Sequence, residues 1–339
     1  ASLACDISVE AIGQALSTFR FAIPASAPVP ASLPAVVDEP LYNAERRQRH
    51  PHPEPHAMPE LTIGMATYKD FDGVYFTIQA LRLYQDVENA EFLVVDNYGC
   101  DDTRRFVTSI GGRYVRATDS VGSAAAKNVV FQEAQGRAVL CCDSHVLFPA
   151  GVIARLKDYH RAHPESRDLL QGPLVYDDLR ATSTHFDPVW RGQMWGIWAS
   201  DARGDDPEGE PFEIPMQGMG AFSCRLAAWP GFNPAFRGFG GEEGYIHEKM
   251  RQTGGRCLCL PWFRWTHRFG RPGGVPYPLA LRDKIRNYMI GFIELGLDLA
   301  PIYEHFAEFS PPEQLAEIYA DALLSGISSP VFAEERARF

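Results

Sequence analysis

The chain has 339 residues, 45% of them hydrophobic and 22% charged, with a formal net charge of −11. Such a composition is that of a globular protein long enough for one large domain or two smaller ones. The acidic balance argues against broad attraction to nucleic acid or anionic membrane, and no run of about 18 apolar residues predicts a membrane span.

The segment ASLACDISVEAIGQALS lacks a basic stretch and carries Asp6 and Glu10 among its apolar residues, so it does not read as a secretory signal. Of the seven cysteines, four fall in the strand-like runs VLCCD and RCLCL, where thiols pack as small hydrophobes. No pair has Cys-x-x-Cys spacing. The expectation is a reduced, cytoplasmic protein.

In chain order, residues 8–19 read as a short helix, and the Pro-, Ala- and His-rich stretch that follows reads as an extended arm reaching to residue 58. His50, His52 and His56 are read there as solvated linker residues rather than metal ligands. Order begins at Leu61. LTIGMATY has the apolar run of a buried strand, and FDGVYFTIQALRLYQD has helical spacing at Val74, Ile78, Leu81 and Leu83. EFLVVDN is a second strand, GCDDTRRFVTSI a turn and helix, and GRYVRAT a third strand. SAAAKNVVFQEAQG is a helix with a Gly stop, and AVLCCDSHVLF a fourth strand. This alternation predicts an α/β fold with a mostly parallel sheet flanked by helices. Ligands in such sheets sit beyond the carboxyl ends of the strands, where Asp96 and Asp143 both fall.

Further on, GVIARLKDYHRAH reads as a helix and LLQGPLVYDD as a strand. A Trp-rich stretch follows (Trp190, Trp195, Trp198), suited either to core packing or to stacking on a sugar or aromatic acceptor. SDARGDDPEGEPFEIP reads as a mobile loop. From 276 onward, YPLALRDKIRNYMIGFIELG and PPEQLAEIYADALLSG are amphipathic helices, expected to form a helical appendage over 276–339 beside a catalytic domain at 59–275.

The chemistry concentrates in CCDSH. On an extended segment, Asp143 and His145 leave one face while Ser144 points away. A carboxylate oxygen beside an imidazole nitrogen is half of a divalent-ion site, and the mixed donors suit Mn²⁺ better than Ca²⁺ or Mg²⁺. Taken alone, an acid–His hydrogen bond at a strand end explains the pair as well. GFGGEEGYIHEKMRQTGGRCLCLPWFRWTHRFGRPGG then supplies the acids Glu242 and Glu243, followed by His267, Arg268 and Arg271.

From Leu61 to about Gly274 these motifs together resemble the GT-A-fold glycosyltransferases, the nucleotide-sugar-dependent class that includes glycosyltransferase family two and the polypeptide N-acetylgalactosaminyltransferases. IGMATYKD is similar to the first strand and turn of that class, with Lys69 replacing an Asn. FLVVDNYGCDDT resembles its second-strand segment, with Asn97 for an Asp and Cys100 for a Ser. SVGSAAAKNVVFQEAQGRAVLCCDSH resembles the block ending in Asp-x-Asp, with Lys127 in an Arg position and His145 in place of the second Asp, a variant the polypeptide N-acetylgalactosaminyltransferases share. GFGGEEGY and WTHRF are similar to the Gly-Gly-acid helix and to the late metal-binding His.

The resemblance implies a metal-dependent hexosyl- or N-acetylhexosaminyltransferase with Asp143, His145 and His267 holding Mn²⁺ (or Mg²⁺) and a UDP-sugar as donor. It places Thr67, Tyr68 and Asp96 at the nucleoside, and Lys127 and Asn128 near the diphosphate or sugar. Ser144, Arg268 and Arg271 count with the donor-binding residues. Glu243 stands where inverting members carry the catalytic base, and Glu242 where sugar or acceptor hydroxyls bind. The Asp-x-His motif, however, belongs to retaining members, so the two motifs point to opposite stereochemistry. MQGMGAF, with Gly218 and Gly220, resembles the strand that lets the donor sugar approach. The acceptor is open: a saccharide, a peptide, a small molecule or a modified nucleobase, the last kept by a basic face of Arg251, Arg256, Arg264, Arg268 and Arg271. Two other readings stand beside this one: a nucleotidyltransferase or pyrophosphorylase-like enzyme, and a non-catalytic nucleotide- or carbohydrate-binding protein. IGMATYKD lacks the Gly-rich basic loop of the former, and an intact Asp143, His145 and His267 set argues against the latter. Oligomeric state is not legible.

Overall fold

A computed structural model describes residues 58–119, 122–270 and 274–327. The expected helix at 8–19, the arm with its three histidines, and Arg271 lie outside the described residues.

The main sheet has eight strands. Its parallel half is built from β1 (Leu61–Thr67), β2 (Ala90–Asp96), β3 (Arg113–Arg116) and β4 (Ala138–Asp143). The spatial order β3-β2-β1-β4 puts the first strand in the interior, with Thr67 opposite Asp96 and Ala66 opposite Asp143. Helices α1 (Phe71–Tyr84), α2 (Asp101–Ser109) and α3 (Ser123–Glu133) make the crossovers. The near-continuous apolar sequence of β1 and β4 follows from coverage on both faces. In α1, Val74, Ile78 and Leu81 face the core as their spacing predicts, whereas Leu83 is 54% exposed.

The expected single strand through CCDSHVLF is two strands. β4 ends at Asp143, Ser144 and His145 form a turn, and β5 (Val146–Leu147) joins a second sheet. LLQGPLV divides in the same way, at Gly172–Pro173, into β6 (Leu169–Gln171) in the main sheet and β7 (Leu174–Val175) in the second. Proline supplies no ladder donor, and a side chain on Gly172 would collide with the Phe263 carbonyl oxygen at 1.9 Å. Helix α4 (Val152–Ala162) lies between β5 and β6 in sequence. The second sheet is completed by β8 (Thr182–Ser183) and a late strand reached below. A separate hairpin, β9 (His185–Arg191) with β10 (Met194–Ala199), carries the three tryptophans of the Trp-rich stretch. The acidic loop after it is anchored: Arg155 pairs with Glu208, and Arg264 donates to the carbonyls of Gly204 and Asp205.

The far half of the main sheet is mixed. β11 (Phe212–Glu213) and β12 (Ala221–Arg225) run antiparallel to their neighbours, while β13 (Cys257–Cys259) runs parallel to β6. Helix α5 (Glu242–Gln252) precedes β13, and β14 (Trp265–His267) closes the second sheet. Helices α6 (Leu281–Glu294), α7 (Ala300–Phe306) and α8 (Pro312–Ile327) follow. They form the expected helical appendage, and it packs on the sheet. Ile285, Met289, Ile302, Phe306, Leu315 and Ile318 share one buried cluster with Leu93, Val95, Phe222 and Tyr245 of the sheet and α5. Among the described residues no helix is long and apolar enough to cross a membrane, and the described cysteines other than Cys100 are buried and free.

Candidate active site

The break in the strand at Asp143 is what assembles the site. Strand β14 pairs antiparallel with β5, and His267 lies opposite Val146. Together with the Arg268 N–H bond to the His145 carbonyl at 3.1 Å, this register delivers His267 to the turn holding His145. The two Nε2 atoms are 3.1 Å apart, and His267 Nε2 is 3.4 Å from Asp143 Oδ2. The donor atoms of Asp143, His145 and His267 all lie within 4.8 Å of one another. Two facing imidazole nitrogens and a carboxylate oxygen at these separations fit neighbouring corners of a divalent-cation shell, whose metal–ligand distances near 2.1 Å put adjacent donors about 3 Å apart. His267 Nδ1 is buried without a hydrogen-bond partner. Asp143 itself is fixed by its N–H bond to the Gly220 carbonyl at 2.9 Å. A side chain at Gly220 would meet the Trp265 ring at 2.8 Å.

Asp70, which the sequence reading passed over, organises the outer side of this cluster. It caps α1 through Gly73 N–H, and its Oδ2 accepts from His145 Nδ1 at 2.7 Å and from Ser144 Oγ at 2.9 Å. Its Oδ1 accepts from Arg268 Nη2 at 3.0 Å. Burial raises the Asp70 carboxyl, but the bonds from His145 and Ser144 outweigh it and hold the group at about 2. With an ionised acceptor on Nδ1, the His145 proton sits there and the Nε2 lone pair faces the site. Ser144 is buried in this outer layer, with Thr67 Oγ1 at 3.4 Å from its hydroxyl. Thr67 and Ser144 therefore lie beneath the His145 side of the triad, and Arg268, expected as a phosphate clamp, is engaged with Asp70. The signal for Asp70 was available: an N-cap acid just past β1, at the same carboxyl edge as Asp96 and Asp143.

On the inner side, Lys127 of α3 is buried with Nζ 3.4 Å from Asp143 Oδ1. Burial pulls its ammonium down, but Asp143 and Glu242 more than offset this and hold it above the ordinary lysine value. Burial likewise raises Asp143, and Lys127 and His267 bring it well below the usual carboxylate range. Lys127 thus stands charged between Asp143 and the acid pair of α5. The Asn128 amide bonds both the N–H and the carbonyl of Phe232, clamping that loop.

Glu242 and Glu243 start α5 after Gly240 and Gly241, whose φ values of +97° and +92° favour glycine. The helix dipole favours acids in this first turn. Both are buried, and Ser123 Oγ donates to Glu242 Oε1. Burial first, and the neighbouring Glu242 second, push the Glu243 carboxyl above the ordinary range. Helix α6 backs this turn. Asn287 Nδ2 donates to the carbonyls of Arg237 and Gly240, and the Lys284 stem lies against Gly240. Tyr288 hydroxyl accepts from Trp195 N–H at 2.9 Å, and a side chain at Gly244 would meet the Trp195 ring at 2.7 Å. The Trp hairpin is therefore packed directly on the acid turn. Trp190 stacks on Trp195 and His305, which makes packing its main role.

Asp96, expected at the nucleoside, is fully buried. Its oxygens accept from the N–H groups of Tyr98, Gly99 and Cys100 and from the Tyr114 hydroxyl. It builds the turn after β2 and leaves Tyr68 to present an aromatic surface. Tyr68 meets Tyr98 and Tyr277 edge-on at 5.5 and 6.2 Å, and Lys69 Nζ lies 4.6 Å from the Tyr98 ring. The proposed basic face is also altered. Arg251 binds Glu248 and the Pro215 carbonyl, Arg256 binds Asp168, Arg264 binds backbone carbonyls and Arg268 binds Asp70, so these four form no free cationic stripe.

A doubly wound sheet with a cation-ready triad at the carboxyl edge of its fourth strand defines a GT-A-type fold. In agreement, residues 62–219 match the family model described as Glycosyl transferase family 2. A crystal structure of GalNAc-T7 with UDP, GalNAc and Mn²⁺ superposes with a TM-score of 0.60 at 15% identity, covering 78% of this chain and 54% of that one. The mannosyltransferase PcManGT from Pyrobaculum calidifontis, in complex with GDP-Man and Mn²⁺, gives a TM-score of 0.47 at 19% identity over 87% and 85% of the two chains. A comparison with curated proteins returns no match.

Proposed function

We propose that the chain is a metal-dependent glycosyltransferase that moves a sugar from a nucleoside diphosphate donor, a UDP-sugar, to a hydroxyl acceptor. The observation that carries this is the convergence of Asp143, His145 and His267 at the carboxyl edge of the sheet, with Lys127 between that triad and the buried acids Glu242 and Glu243. The GalNAc-T7 structure of the same fold contains UDP and Mn²⁺, and the oxygen–nitrogen donor set of this triad suits Mn²⁺, with Mg²⁺ second.

When bound, the ion supplies Lewis-acid neutralisation of the charge developing on the leaving diphosphate. Asp143, His145 and His267 orient it, and Lys127 adds a fixed positive charge on the side of the acid pair. Tyr68 offers an edge or face to the nucleobase. Glu242, held by Ser123, accepts from sugar or acceptor hydroxyls. Glu243 takes the acceptor proton: a desolvated carboxylate with raised proton affinity is the stronger base. A base at Glu243 implies inversion, and its burial is the observation favouring that outcome over retention. The transferred unit is a hexosyl or N-acetylhexosaminyl group.

The test is mass spectrometry of nucleoside diphosphate released from a panel of sugar donors with Mn²⁺ present, using Asp143→Ala as control. Release from at least one donor that falls 100-fold or more in the variant is expected. Equal release by both proteins overturns the assignment.

A further inference from the structure

We propose that Asp70 is a positioning residue that sets His145 as a metal ligand and, through Arg268, ties the chain after β14 to the metal site. This rests on the metal reading above. Its evidence is separate, because Asp70 touches none of the three ligand atoms that would face the ion.

Asp70 divides its two oxygens between two tasks. Oδ2 takes the Nδ1 proton of His145 at 2.7 Å and the Ser144 hydroxyl at 2.9 Å, which fixes both the ring plane and the tautomer. Ser144 Oγ lies 3.4 Å from the same Nδ1, a longer contact than that of the carboxylate. Oδ1 takes Arg268 Nη2 at 3.0 Å. Arg268 is the residue after the ligand His267, and its own N–H is bonded to the carbonyl of the ligand His145. The carboxylate, His145, the Arg268 backbone and the Arg268 guanidinium therefore close a ring of contacts on the outer side of the triad. The Asp70 side chain is 10% exposed and that of Arg268 43%, so solvent screens this ion pair from the arginine side and its share is smaller than that of the His145 bond. A ring of this kind makes the two histidines a unit: holding one in place holds the other.

Carboxylates behind metal-bound histidines change metal affinity by about 10–100-fold when removed. The expectation is therefore a loss of that size in Asp70→Ala for Mn²⁺ alone, measured on the full chain by calorimetry without any nucleotide. Asp70→Asn keeps an acceptor oxygen for Nδ1–H and should recover most of the affinity. Arg268→Ala leaves the His145 bond in place. It should lower affinity by less than 10-fold, but abolish the protection from hydrogen exchange that Mn²⁺ confers on the amides of residues 268–270. Thermal melts of each variant separate these effects from loss of fold. Mn²⁺ affinity in Asp70→Ala within twofold of the wild type, with a normal melt, overturns the role of Asp70. An Arg268→Ala protein that keeps the metal-induced protection overturns the link to the following chain. If the wild type and Asp143→Ala bind Mn²⁺ alike, the metal reading itself fails, and the Asp70 proposal with it.

Discussion

Replacing Lys127 with Met tests the electrostatic design of the site, because the thioether fills the lysine stem while removing its charge. Lys127 Nζ lies 3.4 Å from Asp143 Oδ1. At an effective dielectric near 20 their gross attraction is about 5 kcal/mol. Breaking a buried pair by deleting one partner costs about 3–5 kcal/mol, since the remaining charge stays desolvated. The Asp143 side chain keeps 27% of its surface exposed, so the lower end, about 3 kcal/mol, applies. For a unit of this size that is a fall in Tm of roughly 6–12 °C without metal. The same change removes a like charge beside the cation site. Mn²⁺ should therefore bind Lys127→Met about tenfold more tightly, a gain of about 1.4 kcal/mol, and raise its Tm more than that of the wild type. Sugar transfer should still fall, because Lys127 faces the acid pair as well. Circular-dichroism melts with and without Mn²⁺ check this. A variant that melts within about 2 °C of the wild type, with the same metal-induced shift, would refute the claim that Lys127 is the resident countercharge.

Glu243→Gln should lower kcat by about 10²–10⁴-fold, and wild-type kcat/KM should fall on the acid side at a pH above the ordinary carboxylate range. The same raised carboxyl makes a stability prediction: its folded value lies above the unfolded 4.5, so its stabilising contribution is complete below 4.5 and is lost as pH rises towards the folded value. The Tm of Glu243→Gln should thus overtake the wild type with rising pH, and a constant gap between the two would contradict the shift. Gly220→Ala should cost about 1–3 kcal/mol by pressing on the Trp265 ring, with Mn²⁺ affinity reduced, as read by melt and calorimetry. A chain ending at Ala280 loses buried partners such as Ile285, Met289, Ile302 and Phe306, each worth about 1.5–3 kcal/mol. It should give no cooperative melt, and a melt like that of the full chain would show α6–α8 to be dispensable.

The sequence pattern carried the parallel half of the sheet because β1, β2 and β4 read as short, largely buried apolar runs, the last two closed by an acid. The grouping of Asp143, His145 and His267 was legible through residue type and order. Its geometry was not, since periodicity over CCDSHVLF cannot distinguish one strand from two strands of different sheets joined at Ser144–His145. The antiparallel half was hidden for a related reason: direction of pairing leaves no local mark on a strand as short as β12 or β13. Asp70 escaped notice because its partners are distant in sequence: the β1–β4 pairing brings His145 to it, and the β5–β14 pairing brings Arg268. Asp96 and Asn128 show a different limit of sequence pattern. Their residue types suit ligand contacts, but the backbone of Phe232 engages the Asn128 amide, and three backbone N–H groups with the Tyr114 hydroxyl engage Asp96, which only the folded loops reveal. The role of α6 at the acid turn was equally invisible, because an amphipathic pattern shows that a face is buried without showing against what.

Calorimetric titration of UDP into the wild-type protein and His267→Ala, each with Mn²⁺ and with EDTA, tests the central claim most directly. The account predicts tight binding by the wild type with Mn²⁺, at least tenfold weaker binding with EDTA, and little metal effect in His267→Ala. Equal UDP affinity under all four conditions would contradict it.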